Sequence, residues 1–297
     1  MHTSLPRSFC VWLAITLTLL GGCGREHPAK IVVGSKFFTE QVVLAELLAQ
    51  HIEARTGIRV ERKTNLGGSL LVQKAMLAGE LDLYVEYTGT ALTAVLNEAP
   101  QGDSRSVYER VKKEYAERFG FVVTEPLGFE NTFAMVIRGE DAKKFNLQKL
   151  SDIEALAPKW RAGVGYEFLE RPDGFNGLCE RYNLKFGAKP RVMDLGLIYR
   201  ALVDHQVDVV AGNSTDGMIS ALGLVALEDD RHYFPPYDAV PIVRKATLER
   251  FPALRGALAD LAGKVSASDI RQMNYAVDGL HREPAEVVRE FRKAKGL

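Results

Sequence analysis

The chain has 297 residues, of which 46% are hydrophobic and 26% are charged, a composition typical of a folded globular protein. Because a domain usually holds roughly 100–200 residues, this length predicts two domains with proper cores. Lys and Arg (38) balance Asp and Glu (38). The composition therefore excludes the strongly basic charge of a generic nucleic-acid binder.

The N-terminus has the features of an export signal. A largely apolar run, Phe9–Leu20, is shorter than the roughly 20 residues that span a bilayer but suits the core of a signal peptide. An LGGC sequence ending at Cys23 follows and resembles the bacterial lipobox, in which the cysteine carries a lipid. We expect a lipoprotein signal peptide at 1–22, lipidation at Cys23 and a tether at 23–29. An ordinary signal with a chance cysteine is the alternative.

The first part of the body alternates short apolar strands with amphipathic helices, and Thr39 stands where a helix N-cap is expected. Such alternation predicts a mostly parallel α/β sheet. The predicted strands are Lys30–Gly34, Ile58–Lys63 and Leu81–Val85, and the predicted helices are Thr39–Arg55, Ser69–Ala78 and Ser104–Phe119.

The strand and helix pattern starts again near residue 130 and ends in a helical tail. The predicted strands are Phe133–Ile137, Arg161–Val164, Arg191–Met193, Val207–Ala211, Leu224–Leu227 and Ala239–Val243. The predicted helices are Leu150–Leu156, Gly174–Tyr182, Leu197–Val203, Thr215–Leu222, Ala246–Phe251, Pro252–Ala262, Ser268–Val277 and Glu283–Lys295.

Two α/β units and a helical tail predict two lobes. If the tail packs back on the first unit, residues 30–128 plus 234–297 form lobe 1 and residues 129–233 form lobe 2. The chain then crosses between the lobes twice, which makes a hinge beside a cleft. Ligands of α/β sheets collect at strand carboxyl ends and helix N-termini, and these ends would face the cleft.

The sequence lacks the common catalytic signatures, including HExxH, GxGxxG, the P-loop and GxSxG. Cys179 is the one cysteine of the body and lies among apolar residues, so we expect an inert thiol without a disulfide. No Cys/His cluster of metal-binding spacing occurs in the sequence. These observations favour a binding protein without metal or cofactor over an enzyme.

Loop motifs at the predicted strand ends give a more specific indication: GSK-x-FTEQ at 34–41, EYTGT at 86–90, NSTDG at 213–217 and FPPYD at 234–238. Together they resemble the osmoprotectant-binding proteins of ABC importers, which take up glycine betaine, choline, carnitine and related quaternary amines. The resemblance covers nearly all of residues 30–297. It implies a two-lobed periplasmic-binding-protein fold of type II with two crossover segments, and permease and ATPase subunits as partners.

The resemblance also implies an aromatic cage around a quaternary ammonium. A methylated cation has no N–H to donate, so ring faces must hold it, each contributing roughly 0.5–2 kcal/mol. The cage positions are Tyr87, Phe133, Asn213 and Tyr237. The family usually has tyrosine where Phe133 and Asn213 stand here. The ring missing at Asn213 should cost about 1–2 kcal/mol, so we expect weak glycine betaine binding or preference for another amine.

A ligand carboxylate needs cationic or hydroxyl donors, and the resemblance implies Lys36, Thr90 and Arg171 for this role. Each has an ordinary structural alternative: Lys36 a solvated loop position, Thr90 a helix cap, and Arg171 an ion pair with a neighbouring carboxylate. Secondary contacts are expected from Ser69, Asn131 and Thr215, although Ser69 follows an ordinary Gly-Gly turn and Thr215 also suits a helix cap.

We therefore expect an exported, membrane-anchored, monomeric lipoprotein that captures a quaternary-amine osmolyte for an ABC permease. Alternatives are a binding protein for another amine or an amino acid, favoured by the Asn213 amide, and an osmolyte receptor that does not serve import. An enzyme on the same scaffold is a third alternative, but no paired base and nucleophile supports it.

Overall fold

The computed structural model describes residues 30–99 and 103–297, together with residue 2. The predicted signal peptide, tether and lipidation site at Cys23 lie outside the two described ranges. No helix within these ranges is long and apolar enough to cross a membrane.

The strands of the described ranges form two five-stranded sheets. Sheet 1 has the order β2-β1-β3-β10-β4, and sheet 2 has the order β7-β6-β8-β5-β9. The strands are β1 Lys30–Gly34, β2 Arg59–Lys63, β3 Leu83–Tyr87, β4 Phe121–Val123, β5 Phe133–Arg138, β6 Ala162–Val164, β7 Arg191–Val192, β8 Val209–Asn213, β9 Leu224–Ala226 and β10 Ala239–Arg244.

Both sheets are mixed, but four of the five strands in each run in the same direction, so the expected mostly parallel arrangement is confirmed with one opposed strand in each sheet. In sheet 1, β1 is parallel to β2 and β3, whereas β10 is antiparallel to β3 and β4. In sheet 2, β6 is parallel to β7 and β8, whereas β5 is antiparallel to β8 and β9. The reason lies in the connections. The chain leaves sheet 1 after β4 and returns to it as β10, and each arriving strand, β5 or β10, runs against its neighbours.

Thirteen helices of the described ranges cover the sheets. They are α1 Thr39–Thr56, α2 Ser69–Ala78, α3 Thr88–Thr90, α4 Ser104–Phe119, α5 Gly139–Phe145, α6 Tyr166–Glu170, α7 Phe175–Tyr182, α8 Ile198–Val203, α9 Met218–Ala221, α10 Lys245–Arg250, α11 Leu254–Ala259, α12 Ala267–Asp278 and α13 Pro284–Lys295. A π-helical turn at Ala91–Val95 extends α3, and 3-10 turns lie at Leu150–Ile153, Ala157–Lys159 and Leu195–Leu197.

The core of the first unit forms around α1, which is buried along most of its length. Helices α11, α12 and α13 pack on α1, so the tail folds back on sheet 1, as the two-lobe interpretation requires. We use lobe 1 for sheet 1 and the helices packed on it, and lobe 2 for sheet 2 and its helices. A separate apolar core lies between sheet 2 and helices such as α7.

The predicted capping role of Thr39 and the predicted helix start at Thr215 are wrong, and in both cases a polar side chain bonds elsewhere. The N-cap of α1 is Phe38, and the Thr39 hydroxyl instead donates to Asp278. The helix expected from Thr215 begins only at Met218 as α9, without a side-chain cap. The stretch before it belongs to the cleft between the lobes.

Candidate functional site

Strand ends bring the predicted cage positions to the cleft. Tyr87 is the last residue of β3, and Asn213 is the last residue of β8. Phe133, the first residue of β5, pairs directly with Asn213 in antiparallel register. Directly opposed residues project to the same face of a sheet, so Phe133 and Asn213 face the cleft together.

A small cavity of about 50 Å³ lies between the lobes and collects most of the predicted site. The four predicted cage residues, the three predicted carboxylate ligands and one predicted secondary residue line it: Tyr87, Phe133, Asn213, Tyr237, Lys36, Thr90, Arg171 and Asn131. The other two secondary residues, Ser69 and Thr215, lie behind its wall. The Ser69 Oγ accepts from Lys36 Nζ at 3.3 Å, and the Thr215 hydroxyl donates to Glu40.

The wall holds more aromatic rings than the sequence motifs indicated. Phe37, Phe38 and Phe168 line the cavity in addition to the three predicted rings. The centroids of Phe133 and Phe168 are 4.6 Å apart, and those of Phe38 and Tyr87 are 6.4 Å apart. The sequence contained an indication of two of these rings, because Phe37 and Phe38 lie within the GSK-x-FTEQ motif. With these residues, six rings of the described chain surround the space. Lobe 1 supplies four of them, Phe37, Phe38, Tyr87 and Tyr237, and lobe 2 supplies Phe133 and Phe168.

A further stacked pair closes the space from outside. The rings of Phe37 in lobe 1 and Tyr166 in lobe 2 are 5.4 Å apart and nearly parallel. Beside them, the Ser69 backbone N–H at the start of α2 donates to Glu167 Oε1 of lobe 2 at 2.9 Å. These contacts join the lobes across the cleft and hold it closed.

The Lys36 ammonium is buried within the site and is not a solvated loop charge. It pairs with the fully buried Glu86 carboxylate and lies 4.6 Å from the Tyr87 ring centroid. An ammonium has three donors, and Glu86 and Ser69 take two of them. One N–H remains for a ligand.

Arg171 forms the ion pair that was the alternative to its ligand role. Its Nε donates to Asp173 Oδ1 at 2.8 Å, and its Nη2 donates to the other carboxylate oxygen. The Nη1 also donates to Thr90 in lobe 1 at 3.0 Å, and the guanidinium lies 5.0 Å from the Phe133 centroid. Burial raises the pKa of Asp173, but the hydrogen bonds and charge of Arg171 outweigh it and leave that pKa below its ordinary value. Arg171 therefore joins the two lobes while it lines the cavity.

Glu40 is a buried acidic residue beside the cage that the motifs did not mark as a site residue. Its carboxylate is buried and accepts from four neutral groups: the Tyr87 hydroxyl at 2.6 Å, the Asn131 amide at 2.9 Å, the Asn274 amide at 3.0 Å and the Thr215 hydroxyl. Burial raises its pKa, and the four hydrogen bonds oppose that rise. Its position inside FTEQ was visible, but its partners from distant parts of the chain were not.

A second, wider groove of about 590 Å³ lies between the lobes, and Asn213 is part of the wall that separates it from the cavity. Asn213 and Phe38 line both spaces. Asp216 in the groove accepts from the Asn213 backbone N–H at 2.9 Å and from the Tyr199 hydroxyl at 2.6 Å. Burial raises the pKa of Asp216 to about 7. A polar region thus adjoins the cage at the position where a ring is absent.

The described chain offers no metal site, because no three His, Cys, Asp or Glu side chains within 30–99 and 103–297 come together as ligands. Burial raises the pKa of the Cys179 thiol to about 11, which keeps it protonated at neutral pH.

Comparison with known proteins identifies the family. A family model described as the substrate binding domain of ABC-type glycine betaine transport systems matches residues 29–294. The chain belongs to this family. It is therefore a substrate-binding protein of an ABC importer that acts outside the cytoplasm, and not an enzyme, as the loop motifs predicted.

Individual relatives agree with this assignment. The carnitine transport binding protein OpuCC of Listeria monocytogenes is 36% identical over 274 residues, which cover 92% of this chain and 89% of that protein. The ergothioneine transport permease/ergothioneine binding protein EgtU of Helicobacter pylori is 32% identical over 299 residues, and the match spans all of this chain but 53% of that protein. A crystal structure of a glycine betaine/carnitine/choline ABC transporter protein superposes with a TM-score of 0.76 at 33% identity, covering 90% of this chain and 99% of the other. The predicted two-lobed α/β fold is confirmed.

Proposed function

We propose that the protein captures a small trimethylammonium osmolyte of the glycine betaine type and delivers it to a membrane permease driven by an ATPase. The observation that carries this proposal is the wall of six aromatic rings around a space closed between the lobes. Each ring face attracts a methylated cation by roughly 0.5–2 kcal/mol. Closure removes water from the cation, which strengthens this attraction, and favours the loaded conformation that a permease can recognise.

We propose that Lys36, Thr90 and Arg171 receive the carboxylate of such a ligand. Lys36 and Arg171 are already paired with buried carboxylates, so neither charge is free to bind an anion alone. Their spare N–H donors support the role instead. A guanidinium has five donors, and the four contacts of Arg171 to Asp173, Thr90 and Thr93 leave one available.

The test compares glycine betaine with choline, which has no carboxylate. Replacing Lys36 alone would leave the buried Glu86 charge without its partner. The variant is therefore the neutral pair Lys36→Met with Glu86→Gln. Loss of a charge-assisted hydrogen bond should weaken glycine betaine by about 1.5–3 kcal/mol, or about 10–150-fold, in calorimetric titration. Choline should change little. Equal losses for both ligands would assign the pair to the fold or to closure instead.

A second candidate ligand is an amine that retains N–H groups. The Asn213 amide and the neighbouring Asp216 carboxylate, which together could accept such donors, favour it. Tighter binding of a primary or secondary amine than of its trimethylated form would support this candidate and exclude the first.

We further propose that Cys23 carries a lipid that anchors the protein outside the cytoplasm, with residues 24–29 as part of a tether. The LGGC sequence supports this proposal. Residues 30–128 plus 234–297 and residues 129–233 remain our proposed lobe boundaries, and a monomer remains our proposed state. A receptor that reports the osmolyte without import would bind the same ligand but would not stimulate an ATPase.

A further inference from the structure

Both tyrosines of the cage have a buried carboxylate behind them. The Tyr87 hydroxyl donates to Glu40 Oε1 at 2.6 Å, and the Tyr237 hydroxyl donates to Asp173 Oδ2 at 2.6 Å. All four side chains are buried, with exposures of 3% or less. A phenol that donates to a carboxylate is in a charge-assisted hydrogen bond, which draws its proton toward the acceptor and leaves electron density on the ring. Ring electron density is what attracts a cation to an aromatic face.

The two carboxylates differ in how their charge is compensated. Asp173 is paired with Arg171. The partners of Glu40 within the described chain are two hydroxyls and two amides, all uncharged. Burying a charge is unfavourable unless an opposite charge lies close by. The uncompensated charge of Glu40, separated from the cavity by the Tyr87 ring, therefore suits a site whose ligand brings the missing positive charge.

Hydrogen bonds to Glu40 also depend on the position of the lobes. Tyr87 and Asn274 belong to lobe 1, whereas the Thr215 hydroxyl comes from lobe 2 and reaches the same carboxylate. The Asn274 amide donates to Glu40 Oε2 and to the Thr215 carbonyl, each at 3.0 Å, and so ties the two together. The bond network around Glu40 is complete only when the lobes are closed.

On the basis of the proposed function, we propose that Glu40 and Asp173 are specificity-determining positioning residues: each holds and polarises one cage tyrosine, and together they make the cage prefer a cation to a neutral group of the same shape. Glu40 has the larger effect, because its charge has no partner cation among the described residues. Neither carboxylate contacts the ligand in this arrangement; each acts through a ring.

The test uses two probes of the same shape. Glycine betaine carries a trimethylammonium group, and 3,3-dimethylbutanoate carries a neutral tert-butyl group in its place, with the same carboxylate. Titration of the full chain and of Glu40→Gln with both probes gives the cation preference of each protein. We expect Glu40→Gln to weaken glycine betaine about 5–30-fold and to change 3,3-dimethylbutanoate less than about twofold.

Three further variants separate this effect from a structural one. Tyr87→Phe removes the hydrogen bond but keeps the ring and the charge, so it should lose part of the cation preference even if Glu40→Gln folds poorly. Thr215→Val removes the contact from lobe 2 and should weaken both probes equally. Asp278→Asn makes the same carboxylate-to-amide change at a residue that contacts Thr39 and no cage ring, and should leave the preference unchanged.

The outcomes distinguish this inference from the proposed function on which it rests. If the unmodified protein binds glycine betaine and both Glu40→Gln and Tyr87→Phe weaken the two probes equally, the carboxylate has only a structural role and the inference is overturned. If the unmodified protein does not bind glycine betaine, choline or carnitine, the proposed function fails and this inference fails with it.

Discussion

Replacing Asn213 with tyrosine is expected to add a ring to the cage. Asn213, at the end of β8, pairs with Phe133, at the start of β5, and projects to the same face, so a tyrosine there would point into the cleft. The adjoining groove of about 590 Å³ gives the phenol room. The substitution removes only a 3.4 Å contact from the side-chain amide to Asp216, whereas the backbone N–H keeps its 2.9 Å hydrogen bond.

The magnitude follows from the rings already present. Three additional phenylalanines line the cavity. The new ring should therefore contribute less binding free energy than the about 1–2 kcal/mol expected for the missing ring from the motifs alone. We expect Asn213→Tyr to tighten glycine betaine by about 0.5–1 kcal/mol, or about 2–5-fold. Calorimetric titration measures the affinity, and thermal unfolding checks that the variant remains folded. A folded variant that binds glycine betaine no better, together with loss of a different natural ligand in Asn213→Ala, would refute the reasoning and make Asn213 a recognition residue.

Three other predictions test the packing, electrostatics and anchoring. A Cβ at Gly89 would lie 2.6 Å from ring atoms of Tyr237, so Gly89→Ala should displace that ring, cost about 1–3 kcal/mol of stability and weaken glycine betaine. The control Gly256→Ala adds a Cβ with nothing within 4 Å in the interior of α11, so it should leave binding unchanged and raise stability by about 0.5–1 kcal/mol. Burial raises the pKa of Asp216 to about 7, whereas its pKa in the unfolded chain is about 4. Between these two pH values the folded state keeps a proton that the unfolded state loses, so stability should fall as pH rises from about 4 to 7. In urea unfolding, Asp216→Asn should show a shallower fall. Cys23→Ser should release the protein from membranes, and an unchanged distribution on fractionation would exclude the lipid anchor.

The sequence predicted those parts of the fold that depend on neighbouring residues. Helix α4 matches its predicted bounds, Ser104–Phe119, and ends at Gly120 in a left-handed conformation with a φ of 66°. The end of α1 is likewise marked by Gly57. A local pattern could not give the direction of β5 and β10, because that direction depends on which sheet the chain enters.

The candidate site shows the same division. The cage and carboxylate positions came from short motifs, and all seven of those residues line one cavity. Glu40 was missed because its role depends on hydrogen-bond partners that are distant in sequence: Thr215 is 175 positions away and Asn274 is 234 positions away. The alternative for Arg171, a pair with Asp173, involves residues two positions apart and was visible in the sequence. Its additional contact with Thr90, 81 positions away, required the closed cleft.

The central claim is that aromatic rings select a methylated cation, and one calorimetric experiment tests it most directly. The purified protein is titrated with glycine betaine and with glycine, which has the same carboxylate but an ammonium whose N–H groups need acceptors. The account predicts saturable binding of glycine betaine and no measurable binding of glycine. Binding of glycine without binding of glycine betaine, carnitine or choline would contradict it.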